Sequence, residues 1–517
     1  MQLETSTTTP ARSDYLPALV AVCLYAIVVL RTAWLSDDAY ITFRTVDNFV
    51  NGYGLTWNVA ERVQAYTHPL WMFMLSGVYL LSPEIFYFTS ILLCVLFSVA
   101  TVVLFATRVA VAALPALVGT TVFILSKAFV DYSTSGLENP LTHFVLMVFL
   151  FVYLTRPASR KTLLWLSLLA GLLTLNRMDA ILLVLPALCV ALYHVRGLRA
   201  LGVVVLGFAP FLAWEAFALF YYGSPLPNTA YAKLNNGIAA GELIRQGLLY
   251  LLASLKLDPL TPIVIVAGLV VPLITRQRRH VPLALGSLLY LFYVVGIGGD
   301  FMLGRFLTPP LLIGVALLAR VIVSGRASLL MFLAVGIIGA APPRSPLSSG
   351  KDYGATTGIL VDKHGVCDER GYYFQGTGLL LANRGAQWPD YSYARQGRRA
   401  HERGERVVVA KCIGMFGFFA GPDVHIVDEL ALADPLLARL APLRGRQWRP
   451  GHYHRRIPDG YIETLETGQN LLADAQLAAY YDKLRFITRG ELWDPQRWLE
   501  ILKFNLGAYD HLLPTAQ

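Results

Sequence analysis

PLTHFVLMVFLFVYLTRPASRKTLLWLSLLAGLLTLNRMDAILLVLPALCVALYHVRGLR, residues 140–199, reads as three apolar runs set apart by short polar breaks. The runs cover 140–155, 162–176 and 180–194. Each approaches the ~20 apolar residues that a helix needs to cross a bilayer. The break with Arg156, Arg160 and Lys161 is basic, and so is the one with Arg196 and Arg199. Between them lies Asn176-Arg177-Met178-Asp179, a polar tip of a different kind.

The same texture extends in both directions. Further apolar runs read 15–35, 84–107, 109–126, 200–222, 261–275, 281–297, 306–323 and 327–341. Every second connection is basic, through Arg108, through Arg276, Arg278 and Arg279, and through Arg326. Basic short loops face the cytoplasm. The pattern predicts a polytopic α-helical membrane protein of about eleven transmembrane helices. Residues 36–83, 127–139, 223–260, 298–305 and everything after 341 then lie outside. Segment 69–82, PLWMFMLSGVYLLS, is apolar but has only 14 residues. Read as a span it would invert every later loop, so it is expected to lie at the interface.

Composition agrees. Of 517 residues, 55% are hydrophobic and 15% charged, well below the ~25% charged residues of soluble domains. The net charge of +9 belongs to topology-setting loops, so no nucleic-acid partner is expected. Past residue 341 charge, glycine and aromatics rise. The expected division is a membrane domain over 1–341 and an extracytoplasmic soluble α/β domain over 342–517. In the latter, 407–410 and 424–427 read as strands and 431–440 as a helix. The first apolar run is expected to be a retained signal anchor. Cys367 and Cys412 are the two cysteines that an oxidising compartment could join.

The conspicuous polar residues fall on one face, the outer one, and charges beside membrane helices usually line a cavity. Asp37 and Asp38 follow the first run directly. One of them could act as a general base, the pair could bind a divalent metal, or Ser36 or Asp37 could cap the helix that follows. Residues 38–50 carry helical spacing, closed by Asn51-Gly52-Tyr53-Gly54. Arg44 can meet a phosphate or pair with Asp47. His68 can contact a phosphate, move a proton or pack beside Trp71. Glu138 precedes a helix start at Asn139-Pro140, with His143 one turn on. Arg177 and Asp179 sit at the outer tip of a helical hairpin, where the alternative to a site role is a salt bridge with each other. Lys233 and Arg305 are outer cations that the positive-inside rule does not explain. Gly298-Gly299-Asp300 leads into Arg305 through a glycine-bounded loop suited to a phosphate. His452 and His454 read as surface residues rather than metal ligands.

The outer loop DDAYITFRTVDNFVNGYGLTWNVAERVQAYTHPLW, residues 37–71, resembles the membrane glycosyltransferases of GT-C type. Within them it is most similar to the terminal arabinofuranosyltransferases of cell-wall arabinan, their relatives acting on type IV pilin, and the flagellar motor control family. SGLE (135–138), NRMDA (176–180), YGSPLPNTAYAKL (222–234), GGDFMLGRFLTP (298–309), IVDELALADPLLARL (426–440) and GHYHRRIPDGY (451–461) extend the resemblance over most of the chain. It implies a polyprenyl-phosphate sugar donor, decaprenyl-phospho-arabinofuranose, and a glycan or pilin acceptor. It places the protein in a bacterial cytoplasmic membrane with its site on the outer side. It implies a catalytic carboxylate at Asp37 or Asp38, followed by two membrane-edge helices. Donor contacts are expected from Arg44, His68, Arg177, Asp179, Lys233, Asp300 and Arg305. Glu138, Tyr66 and Asn228 are expected to orient acceptor or sugar. No organic cofactor is implied; a divalent metal at the Asp pair stays open. Two other readings compete: a non-enzymatic scaffold for flagellar motor or envelope assembly, and a lipid-sugar flippase.

Overall fold

A computed structural model describes residues 16–234, 236–321, 323–349, 360–382, 388–443 and 448–514. Among the described residues the chain is helical nearly throughout, with one sheet of two strands. It is a polytopic helical membrane protein. By length and composition, among the described residues, Pro83–Val109 and Met178–Val195 can cross a membrane. Two bent pairs, Leu198–Gly207 with Ala209–Tyr222 and Ala240–Leu257 with Leu260–Thr275, would raise the number to 4. Other apolar helices, such as Leu16–Arg31 and Asn139–Thr155, are 10–17 residues long. The sequence reading of about eleven spans counted apolar runs. Helices end sooner than runs do, because polar caps and bends cut them.

The second helix runs Asp37–Val50, with Ser36 Oγ accepting from the Ala39 amide at 3.2 Å. The third, Pro69–Leu81, has 13 residues and is too short to span. Helix Ala240–Leu257 was not foreseen. It turns by 111° into Leu260–Thr275 and carries Glu242, Arg245 and Lys256.

The C-terminal segment packs onto the membrane part. Val366, Tyr373, Phe374, Ala394 and Met415 share one buried core with Ala18, Tyr25 and Val29 of helix Leu16–Arg31 and with the helices that follow. Strand β1 (Val407–Ala410) pairs in parallel with β2 (His425–Asp428), and helix Ile413–Ala420 crosses between them. The helix expected over 431–440 is absent. Asp428 accepts the Leu430 and Ala433 amides, Asp434 accepts those of Leu436 and Leu437, and only a short turn, Leu437–Arg439, forms. Short acidic side chains here compete with helix for the backbone donors. Cys367 and Cys412 are free thiols.

Candidate active site

The Asp pair divides at the start of helix Asp37–Val50. Asp37 is buried, and its two oxygens accept the Gly414 amide at 3.2 Å and the Met415 amide at 2.8 Å. It thus caps the N-terminus of helix Ile413–Ala420, where exposed amides favour an anion. Burial pushes its carboxyl up to about 7; the amides oppose this and the neighbouring Asp38 adds to it. Only glycine fits at 414, because an added Cβ would lie 1.8 Å from the Asp37 carbonyl oxygen.

Asp38 is the less buried of the two. Among the described residues no hydrogen-bond donor is assigned to its carboxylate. Burial raises it above the usual carboxylate range, against the pull of Lys233, Arg305 and Arg449. One carboxylate of the pair is therefore a structural cap, and the other faces cations.

One turn beyond Asp38, Thr42 Oγ1 meets His68 Nε2 at 2.7 Å. The other imidazole nitrogen, Nδ1, lies 3.4 Å from Glu138 Oε2. Glu138 is the hub of the site. It accepts Arg177 Nη1 at 2.7 Å and Arg305 Nη2 at 2.9 Å. Burial alone would raise its carboxyl, but Arg305, His68 and Arg177 hold it well below the ordinary range. Burial lowers His68 to about 4, so the ring is neutral at pH 7 despite Glu138. Arg177 also grips Asp179 with two nitrogens, at 3.0 and 2.5 Å. Asp300 lies 3.9 Å from Arg305 Nη1, and burial raises its carboxyl above the usual range.

The local sequence explains these placements. Gly136 takes a positive φ of 79° and lies so close to Ala39 and Leu35 that a Cβ would clash with both. Its carbonyl accepts Trp71 Nε1 at 2.9 Å, so SGLE is held against the first outer loop and Glu138 points into the site. The glycines of 298–305 serve packing: Gly299 lies against the Tyr250 ring and Gly304 against Ala128. Their expected close approach is thus made to protein atoms. That loop is stitched to the C-terminal segment by Cys367 N to Phe301 O at 2.6 Å and Leu303 N to Cys367 O at 3.0 Å.

Two expected site residues lie elsewhere, and a third, Tyr66, has its hydroxyl engaged by protein. Arg44 spends its donors on backbone carbonyls and not on the Asp47 carboxylate. It is 2% exposed and donates to the carbonyls of Trp57 at 2.7 Å, Val424 at 2.8 Å and Gly417, with its guanidinium over the Trp57 ring. It clamps the first outer loop to the C-terminal segment. Asn228 donates to the carbonyls of Ala431, Leu432 and Asp434 at 3.0–3.1 Å and so fastens helix Asn228–Leu234 to the 431–434 turn. Tyr66 bonds Tyr222 at 2.9 Å and forms a wall beside His68 rather than a free hydroxyl.

Other residues arrive from the C-terminal segment that the sequence did not place in the site. Glu369 opens helix Glu369–Thr377, is buried, and feels Asp38 and Arg449. Arg449 Nη2 lies 2.8 Å from His452 Nε2, and its guanidinium sits over the Phe301 ring. His452 packs edge-on against Phe301, so it is no surface residue. Arg449 lies two residues before the GHYHRRIPDGY motif, which was the available clue. A buried ion network fixes this arrangement: Lys127 reaches Asp131 at 2.5 Å and Asp368 at 2.9 Å, Arg344 reaches Asp368 and Arg370 reaches Asp131, each at 3.0 Å. Behind His452 opens a polar cleft of about 730 Å³, lined among others by Glu242, Arg245, Gln246, Trp448 and Tyr453.

No family model matches the chain. It is 28% identical to the terminal beta-(1->2)-arabinofuranosyltransferase of Mycobacterium tuberculosis, over 83% of this chain and 82% of that protein. It is 29% identical to the protein of the same name from Corynebacterium glutamicum, over 54% of this chain but only 46% of that relative. Two solved structures are distantly similar. ArnT from Cupriavidus metallidurans, bound to undecaprenyl phosphate, is 12% identical over 94% of this chain and 89% of that one, with a TM-score of 0.46. The oligosaccharyltransferase AglB from Archaeoglobus fulgidus, with an inhibitory peptide and a dolichol-phosphate, is 10% identical over 94% and 72%, with a TM-score of 0.49. Likeness at that level carries no argument about activity. The resemblance carried by the outer-loop motifs is matched by the sequence relatives along most of the chain: this protein is a relative of the terminal arabinofuranosyltransferases, and a glycosyltransferase.

Proposed function

We propose that the protein transfers D-arabinofuranose from a polyprenyl-phosphate donor to the hydroxyl of a glycan or protein acceptor on the outer face of a bacterial cytoplasmic membrane, its chain crossing that membrane about eleven times. The observation that carries the reading is the division of the Asp pair. Asp37 is spent on the Gly414 and Met415 amides, while Asp38 remains open to Lys233, Arg305 and Arg449.

In this mechanism the acceptor oxygen attacks the anomeric carbon, and its proton passes to Asp38. The bond from that carbon to the phosphate oxygen breaks, and the phosphate leaves with the electron pair. Negative charge grows on the leaving phosphate, and preorganised cations stabilise it most where water is excluded. Lys233, Arg449 and Arg305 supply them. Glu138 holds Arg305 and Arg177 in fixed poses, and neutral His68 bridges Glu138 to Thr42. A divalent ion would find only Asp38 of the pair unoccupied, so transfer is expected to persist in excess chelator. The cleft behind His452 suits an acceptor sugar chain: it is polar, and Trp448 and Tyr453 offer aromatic faces. No observation favours a scaffold or a flippase.

The test is transfer from synthetic polyprenyl-phospho-arabinofuranose in membranes holding the protein. Arabinan fragments and pilin peptides serve as acceptors. Transfer by the wild type, lost in Asp38→Asn, is expected. Folded protein that transfers hexose but no arabinose would replace the sugar in this proposal. No transfer of any sugar would end it.

A further inference from the structure

The last long helix, Pro495–Asn505, is amphipathic in an inverted sense. Its inner face carries Arg497, Glu500 and Ile501, all buried. Trp498, Leu499 and Leu502 are exposed on the other face, with Leu506 at the helix end 75% exposed and Trp493 just before the helix 80% exposed. Positions 498, 499, 502 and 506 fall in one stripe about 100° wide at 3.6 residues per turn. A soluble surface rarely keeps such a stripe, and contiguous apolar patches mark an interaction.

The helix is seated on the end of an apolar helix. Arg497 donates to the carbonyls of Phe220 at 2.8 Å, Tyr221 at 2.9 Å and Ile487 at 2.8 Å. Asn505 donates to the Gly223 carbonyl at 2.9 Å. Gly223 has a positive φ of 75°, and a Cβ there would strike Ile487. The Phe220 ring packs against both Trp493 and Trp498. Phe220 to Gly223 close helix Ala209–Tyr222, one half of a bent candidate span whose own Leu212 and Leu219 are exposed. The bare stripe therefore continues a lipid-facing surface where a span would end. Two tryptophans mark it, as at the headgroup level of other membrane proteins. Arg62 of the first outer loop reaches the Tyr221 and Ile487 carbonyls, so this is the site's side of the molecule.

We infer that helix Pro495–Asn505 lies in the bilayer interface, with Trp493, Trp498, Leu499, Leu502 and Leu506 in the lipid headgroup and upper-chain region, and that it moors the C-terminal segment beside the site. The partner is the bilayer surface. A second copy of the chain or open water is the outcome that would replace it.

The test compares wild type with the double variant Trp493→Phe, Trp498→Phe in nanodiscs. Phenylalanine keeps a ring against Phe220 at both positions, so folding is retained, and an unchanged unfolding temperature confirms it. The emission lost in the variant belongs to the two tryptophans. Loss of most of that difference emission in nanodiscs of lipid brominated on the upper chain, with little loss to aqueous iodide, is expected. Quenching by iodide alone would place the face in water and overturn the inference. Resistance to both quenchers would also overturn it, and disulfide cross-linking of a Leu502→Cys variant between copies would then identify a second chain as the cover.

Discussion

Replacing each member of the Asp37–Asp38 pair by asparagine separates the two roles. Asparagine is nearly isosteric, so packing is kept. At Asp38 it removes the proton acceptor, and loss of a positioned general base costs about 10²–10⁴-fold in rate, which corresponds to about 3–5 kcal/mol of barrier. At Asp37 it leaves one oxygen to accept from Gly414 or Met415, where two accept now. Losing one hydrogen bond to a charged group costs about 1.5–3 kcal/mol. Relief of the burial that holds Asp37 at about 7 offsets part of this. The sign with pH follows. The folded Asp37 keeps its proton up to about 7, while the unfolded one loses it near the ordinary value of ~4. This group therefore erodes stability as pH rises from ~4 to ~7 and adds no further change above. The assays are transfer from polyprenyl-phospho-arabinofuranose and thermal unfolding in detergent at pH 5 and 7.5. Asp38→Asn is expected to fold normally and lose transfer. Asp37→Asn is expected to transfer within about tenfold of wild type and to show a smaller fall in Tm between the two pH values. A dead Asp37→Asn with an active Asp38→Asn would refute the reasoning.

Three further outcomes follow from the same geometry. Glu138→Gln leaves Arg177 and Arg305 without their shared counter-charge, and breaking a buried ion pair costs about 3–5 kcal/mol; the lower end is expected in unfolding experiments, because Arg177 keeps Asp179. Gly414→Ala puts a methyl against backbone at 1.8 Å, which no rotamer can relieve; an overpacking loss of about 1–3 kcal/mol is expected, with transfer falling as Asp37 loses its amides. Asp38 must be ionised to accept a proton, so transfer rises with pH through its raised pKa. Lys233 pulls that pKa down, so Lys233→Met is expected to move the acid limb of kcat/KM to higher pH. A limb that stays put or moves to lower pH would show that Lys233 does not face Asp38.

Local signals carried far where spacing and polarity were local. The helix over 37–50 and the two strands near 407 and 425 were legible because hydrophobic period and turn residues lie within a few positions of each other. Arg44 shows the limit. Its sequence neighbourhood offers Asp47 as a partner, yet its three donors go to carbonyls at positions 57, 417 and 424. A carbonyl has no sequence signature, so this destination could not be read. The helix expected over 431–440 fails for a related reason. Asp434 takes the Leu436 and Leu437 amides that a helix would have used, and propensity alone favoured the helix.

The sequence by itself determined that the protein is a helical membrane protein, that its conspicuous polar motifs, the Asp37–Asp38 pair among them, belong to one side of the predicted topology, and that it resembles the arabinofuranosyltransferases. These follow from hydropathy, loop charge and short motifs, all of which are local. Only the tertiary structure decided which aspartate is free. That choice depends on a helix N-terminus brought to Asp37 from 377 residues away. It also brought Glu369, Arg449 and His452 to the site and laid an apolar helix face beside the end of Ala209–Tyr222. Contacts between distant segments depend on how helices pack, and a charge or a tryptophan reads alike in the sequence whether it meets solvent, lipid or another side chain.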